Sequence, residues 1–163
     1  MRGRPAIPEG RIVAWLLLAW AGFFATLVLS WLAGLAYWQG LTRLRVQATL
    51  GALLLRGPGA RSGGRLRGLV GALGHFLLGT LAFPAVYALI FGIVGRADVP
   101  VGAMIGGGHA LVAGLALPLA WRAGRQEGGA GLFGWRLGAA TPPALVAAHV
   151  LYGVLLGYIY VAP

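Results

Sequence analysis

The chain has 163 residues, of which 59% are hydrophobic, only 10% charged and none cysteine, and it carries a formal charge of +10. A soluble domain has roughly a quarter charged residues, so too little charge is present to coat a water-facing surface, while the high apolar content excludes disorder. The absence of Cys excludes a disulfide framework, a thiolate metal site and a Cys nucleophile, and at about 150 residues per domain the length gives a single domain over residues 1–163.

In chain order, four apolar stretches approach or exceed the roughly 20 residues that a helix needs to cross the hydrocarbon core. They are predicted over residues 12–38, 69–95, 99–121 and 142–161, and none contains a charged side chain. The first is too long for a cleaved signal peptide, and it carries Trp15, Trp20, Trp31, Tyr37 and Trp38, candidates for the aromatic belts at the membrane interfaces. Between the first two spans, Val46 to Leu55 is apolar but half a span long, which predicts an interfacial or re-entrant segment. Pro84 is expected to kink the second span by freeing the carbonyl of Thr80. Arg96-Ala97-Asp98 reads as a tight hairpin in which Asp98 caps the third helix ahead of Pro100. Residues 122–140 read as a flexible glycine-rich loop, and Pro142-Pro143 starts the last helix. The expected fold is an all-α membrane protein, a four-transmembrane-helix bundle.

All 13 basic residues are arginines, and they cluster in the gaps between spans. The loops 39–68 and 122–140 hold nine of them (Arg43, Arg45, Arg56, Arg61, Arg65, Arg67, Arg122, Arg125 and Arg136). Four lie on the other side (Arg2, Arg4, Arg11 and Arg96). The positive-inside rule then predicts both large loops in the cytoplasm, in a bacterial inner membrane. Arginines so placed meet lipid headgroups, and with no basic-aromatic interleaving they do not read as a nucleic-acid surface.

Lipid tails are as apolar as Leu, so membrane helices associate through close packing at small residues. The chain has 29 Gly, and the candidate packing positions are Gly71 and Gly79 on the second span, Gly102, Gly106 and Gly114 with Ala110 on the third, and Gly153 and Gly157 on the fourth. Gly106-Gly107-Gly108 has no flanking Lys and lies within a span, so it reads as packing rather than a phosphate loop.

All three histidines fall inside spans: His75, His109 and His149. At 1.5 Å per residue, His75 lies about 12 Å past Arg67, His149 about 11 Å past Pro142 and His109 about 20 Å before Arg122. These reference points share one face, so the three rings fall at broadly similar depth. Neutral imidazole ligates haem iron, Zn or Cu. The same residues equally suit a protonatable or quinone-type site, or plain packing with hydrogen bonds to a neighbouring carbonyl, Thr80, Tyr87 or Tyr152. Hydroxyls such as Thr26, Ser30, Thr42, Thr49, Ser62 and Thr141 are present, but no intramembrane acid completes a Ser-His-Asp relay.

Three segments, Gly74 to Thr80 with Tyr87-Ala88-Leu89, Gly106 to His109 with Ala113-Gly114-Leu115, and His149 to Gly153 continuing to Gly157 and Tyr160, resemble an uncharacterised family of small four-span bacterial membrane proteins. The likeness covers roughly residues 47–160. It implies one His on each of the last three spans as a single pattern, and no established activity. The function expected from the sequence is a non-enzymatic accessory or structural subunit, in contact with the bilayer and with other membrane subunits or further copies of itself. The alternatives are a b-type haem or metal-binding electron-transfer module using His75, His109 and His149, and a small transporter or channel.

Overall fold

A computed structural model describes residues 9–55 and 64–160. Arg2, Arg4, Arg56, Arg61, Ser62 and the end of the fourth span at Val161 lie outside the described residues. The chain is all-α: α1 (Glu9–Trp38), α2 (Val46–Leu54), α3 (Gly64–Leu77), a π-turn (Leu78–Ala82) running straight into α4 (Phe83–Val94), α5 (Val99–Ala123), a 3₁₀ turn (Leu132–Leu137) and α6 (Thr141–Ile159). Four helices are long and apolar enough to cross a membrane: Val13–Trp38, Gly64–Val94, Val99–Ala123 and Thr141–Ile159. The second begins five residues before the predicted 69, at Gly64, and so takes in Arg65 and Arg67.

The burial pattern inverts that of a soluble protein. The core is rich in small residues, with Ala21, Ala25 and Ala110 buried beside Tyr87, Tyr152, Phe91, Leu18 and Leu156. The large aliphatics and tryptophans point outward, with Met104 and Ile93 each 77% exposed and Trp31 67% exposed. Such a surface needs hydrocarbon around it, and the bundle is the polytopic membrane protein the composition calls for.

Alternation of the spans follows from two contacts. Thr42, just past α1, shares a 2.6 Å hydrogen bond with Thr141 at the start of α6. At the opposite end, Gly157 near the close of α6 lies against the Asp98 carbonyl at the start of α5. One face, the loop face, therefore carries residues 39–45 and 124–140, and the other carries the hairpin 95–98. At that hairpin the Asp98 carboxylate accepts the Val101 N–H at 3.0 Å and the Arg96 guanidinium. These bonds, the backbone one foremost, hold its pKa below the usual value of 3.8.

Both long loops carry defined structure. The half-span segment is the helix α2, which at nine residues is about 14 Å long and cannot cross. It is held against α3 backbone to backbone, since a Cβ on Gly51 would strike the Arg67 carbonyl and one on Gly71 the Gln47 carbonyl. Its far side meets the end of α5, where Ala52 lies beside Gly124. The glycine-rich loop is likewise partly built. Its 3₁₀ turn lays the Phe133 ring on Gly114, and the Leu137 carbonyl accepts the Arg43 N–H at 2.7 Å. Positive φ at Gly128, Gly129, Gly131, Gly134 and Gly138 explains why glycine is repeated there.

Candidate functional site

The second span divides the bundle into a packed half and a hollow half. Pro84 has no N–H, so a regular helix would orphan the Thr80 carbonyl. The π-turn changes which carbonyl is orphaned. Phe83 N–H bonds to the Leu78 carbonyl five residues back, and in that register the partner due to Gly79 is Pro84, which has none to give. Tyr152 on α6 supplies it, its hydroxyl donating to the Gly79 carbonyl at 2.5 Å. Gly22 and Thr26 of α1 press on the same turn: a Cβ on Gly22 would meet Pro84 and one on Gly79 would meet Thr26. From there to the hairpin face, Leu18, Ala21, Ala25, Tyr87, Phe91, Tyr152 and Leu156 make a continuous core.

Toward the loop face the packing opens. There α3 is held by α2 rather than by the long helices, and a cavity of about 530 Å³ lies between α1, α2, the second span, α5 and α6. Its volume falls in the range of small-molecule sites, and its wall is largely alanine and leucine with a few polar groups, the usual make-up of such sites. Gln47, Thr49, Thr42 and Thr141 line the loop end, and Thr26, Ser30, His75, His109, His149 and Tyr152 the deep end.

All three histidines line this one cavity. His109 and His149 touch, with ring centroids 4.5 Å apart at 74°. His109 is boxed by Phe83, 4.2 Å away centroid to centroid, and its Nδ1 shares a 3.3 Å hydrogen bond with the buried hydroxyl of Tyr87. The Nδ1 of His149 donates at 2.8 Å to the Leu145 carbonyl four residues back on its own helix. His75 comes from α3, on the far side of the π-turn from Tyr87.

Of the candidate packing glycines, Gly102 lies on Gly153 and Gly157, and Gly106 on the His149 carbonyl and Val150, bringing the backbones of α5 and α6 together. Gly71 faces α2, Gly79 faces Thr26 of α1 and Gly114 faces Phe133, so these three serve other joints. Sequence reading missed Gly22 and Gly51, where a Cβ would meet Pro84 and the Gly79 carbonyl, and the Arg67 carbonyl, respectively. The run Ala21-Gly22 followed by Ala25-Thr26 was the available signal for the first, a small-residue step of four within a span.

A b-type haem held by two of these histidines would need their imidazoles on opposite sides of its plane. His109 and His149 meet edge to face and leave no such slot between them, so this pair does not fit the group. Among the described residues no set of three His, Cys, Asp or Glu side chains is disposed to hold a metal ion. Compared with known proteins, the chain matches no family model, no curated protein and no solved structure.

Proposed function

We propose that this small polytopic membrane protein is an intramembrane binding protein, holding one lipophilic molecule in the hollow half of its bundle. The observation that carries the reading is the cavity itself, about 530 Å³ of mostly apolar lining with three imidazoles at one end. A helix bundle in lipid gains by closing its small-residue faces on each other, yet here α2 and the π-turn hold the second span away from α5 and α6 over half its length. The segments that carry the family resemblance, around His75, His109 and His149, are those that supply the polar end, which supports extending the proposal to membership of that family. The packed core ending at Leu156 and Phe91 gives no support to a continuous channel. The arginine bias supports an orientation with the loop face in the cytoplasm.

Native mass spectrometry of the protein released from its membrane into mild detergent tests this. One lipophilic adduct per chain is expected, lost when the cavity is filled by Ala113→Phe. Bare protein from the wild type would overturn it.

A second reading, the accessory subunit, has one observation in its favour. Gly108 on the outer face of α5 is exposed, with open space where a Cβ would stand, among Met104, Leu111 and Val112, which are all exposed too. A partner helix could seat there. Stoichiometric co-purification of another membrane protein, abolished by Gly108→Leu, is the expected result of that reading.

A further inference from the structure

The polar end of the cavity selects among lipophilic molecules, because the tautomer of His149 is fixed by its own helix. The Leu145 carbonyl can only accept, so the 2.8 Å contact places a proton on Nδ1 of His149. A neutral imidazole has one N–H, and no carboxylate lines the cavity to balance an imidazolium. The Nε2 of His149 is left as an acceptor with no hydrogen-bond partner among the described residues. The hydroxyls of Thr26 and Ser30 have no partner either, but both oxygens are fully buried, Thr26 Oγ1 against Gly79 of the π-turn, and lie out of reach of a molecule in the cavity. Polar groups in hydrocarbon are satisfied as a rule, so the open acceptor on His149 describes its complement, a group with one O–H to give.

The geometry points to a lipophilic alcohol or phenol as the ligand, its apolar body along the alanine and leucine wall and its hydroxyl donating to Nε2 of His149. A molecule whose only polar groups are carbonyls or ethers offers no proton to that nitrogen and leaves it unpaired. This inference rests on the cavity reading, and it adds the chemistry of the ligand's head.

The test uses the full-length protein in lipid nanodiscs, with 4-dodecylphenol, 1-hexadecanol and the methyl ether of each as probes. Each is added at equal mole fraction in the bilayer, and bound probe per chain is read by native mass spectrometry. The expected result is that a hydroxyl compound is held about threefold to tenfold better than its ether, and that His149→Phe removes the preference. Preference confined to one pair tells a phenolic head from an aliphatic one. Equal binding of alcohol and ether in both pairs would overturn the inference while leaving the cavity reading intact; no saturable binding of any probe would overturn both. Should His149→Phe fail to fold, nitrogen NMR of the probe-free wild type decides instead, with a protonated Nδ1 and bare Nε2 expected and the opposite tautomer contradicting.

Discussion

Pro84 and Tyr152 form a pair 68 residues apart in sequence, and neither explains itself alone. The proline deprives one carbonyl of its partner, the π-turn makes that carbonyl Gly79, and the tyrosine hydroxyl reaches it. Tyr152→Phe keeps the ring contacts with Tyr87 and His109 and removes only this bond. A loss of about 1–2 kcal/mol is expected, measured by reversible unfolding in mixed detergent. Asp98 is a residue of a different kind, at the water interface. Its folded pKa is depressed by the Val101 N–H and by Arg96, so its stabilisation is present above the ordinary 3.8 and fades as pH falls through the lower folded value. Asp98→Ala should therefore lower thermal stability at neutral pH, with the gap to wild type closing as the pH drops below about 4. Asp98→Asn, which can still cap the helix, should lose less.

At the scale of elements, glycines act by what they let approach. Gly106→Leu would drive a side chain into the His149 backbone and should destabilise the α5–α6 pair by at least about 2–3 kcal/mol. Gly108→Leu, two positions on, points into open space and should leave thermal stability nearly unchanged. The same unfolding assay separates them, and equal behaviour would contradict the packing described. The register Gly102, Gly106, Ala110 was legible in the sequence because membrane helices meet at small residues in steps of four. Gly114 continues that register in sequence but not in space, because α6 starts at Thr141 and the Phe133 ring fills the gap beside it. No periodicity announces that exchange, since it depends on how a loop with five left-handed glycines folds back. The π-turn was half legible: a kink at Pro84 follows from its missing N–H, but the choice of α or π register is made by Gly22, Thr26 and Tyr152 on other helices.

For the whole molecule, four spans and their order were readable because a bilayer demands about 20 apolar residues at a time. The three histidines could be placed at one depth from rise per residue alone, yet depth does not give azimuth. That His109 and His149 touch while Leu145 fixes one tautomer depends on the rotation of α5 and α6 about their axes, set by Gly106 on the His149 backbone. The hollow half was not legible at all, because a cavity is the absence of a contact and leaves no pattern in a sequence. Its existence as a binding site is the central claim, and a saturation measurement tests it most directly. In nanodiscs, a lipophilic phenol titrated against the wild type and against Ala113→Phe with Ala148→Phe, which fill the cavity from α5 and α6, should saturate at one molecule per chain in the first. It should show only linear bilayer partition in the second. Linear uptake by both proteins, with no saturable component in the wild type, would contradict the account.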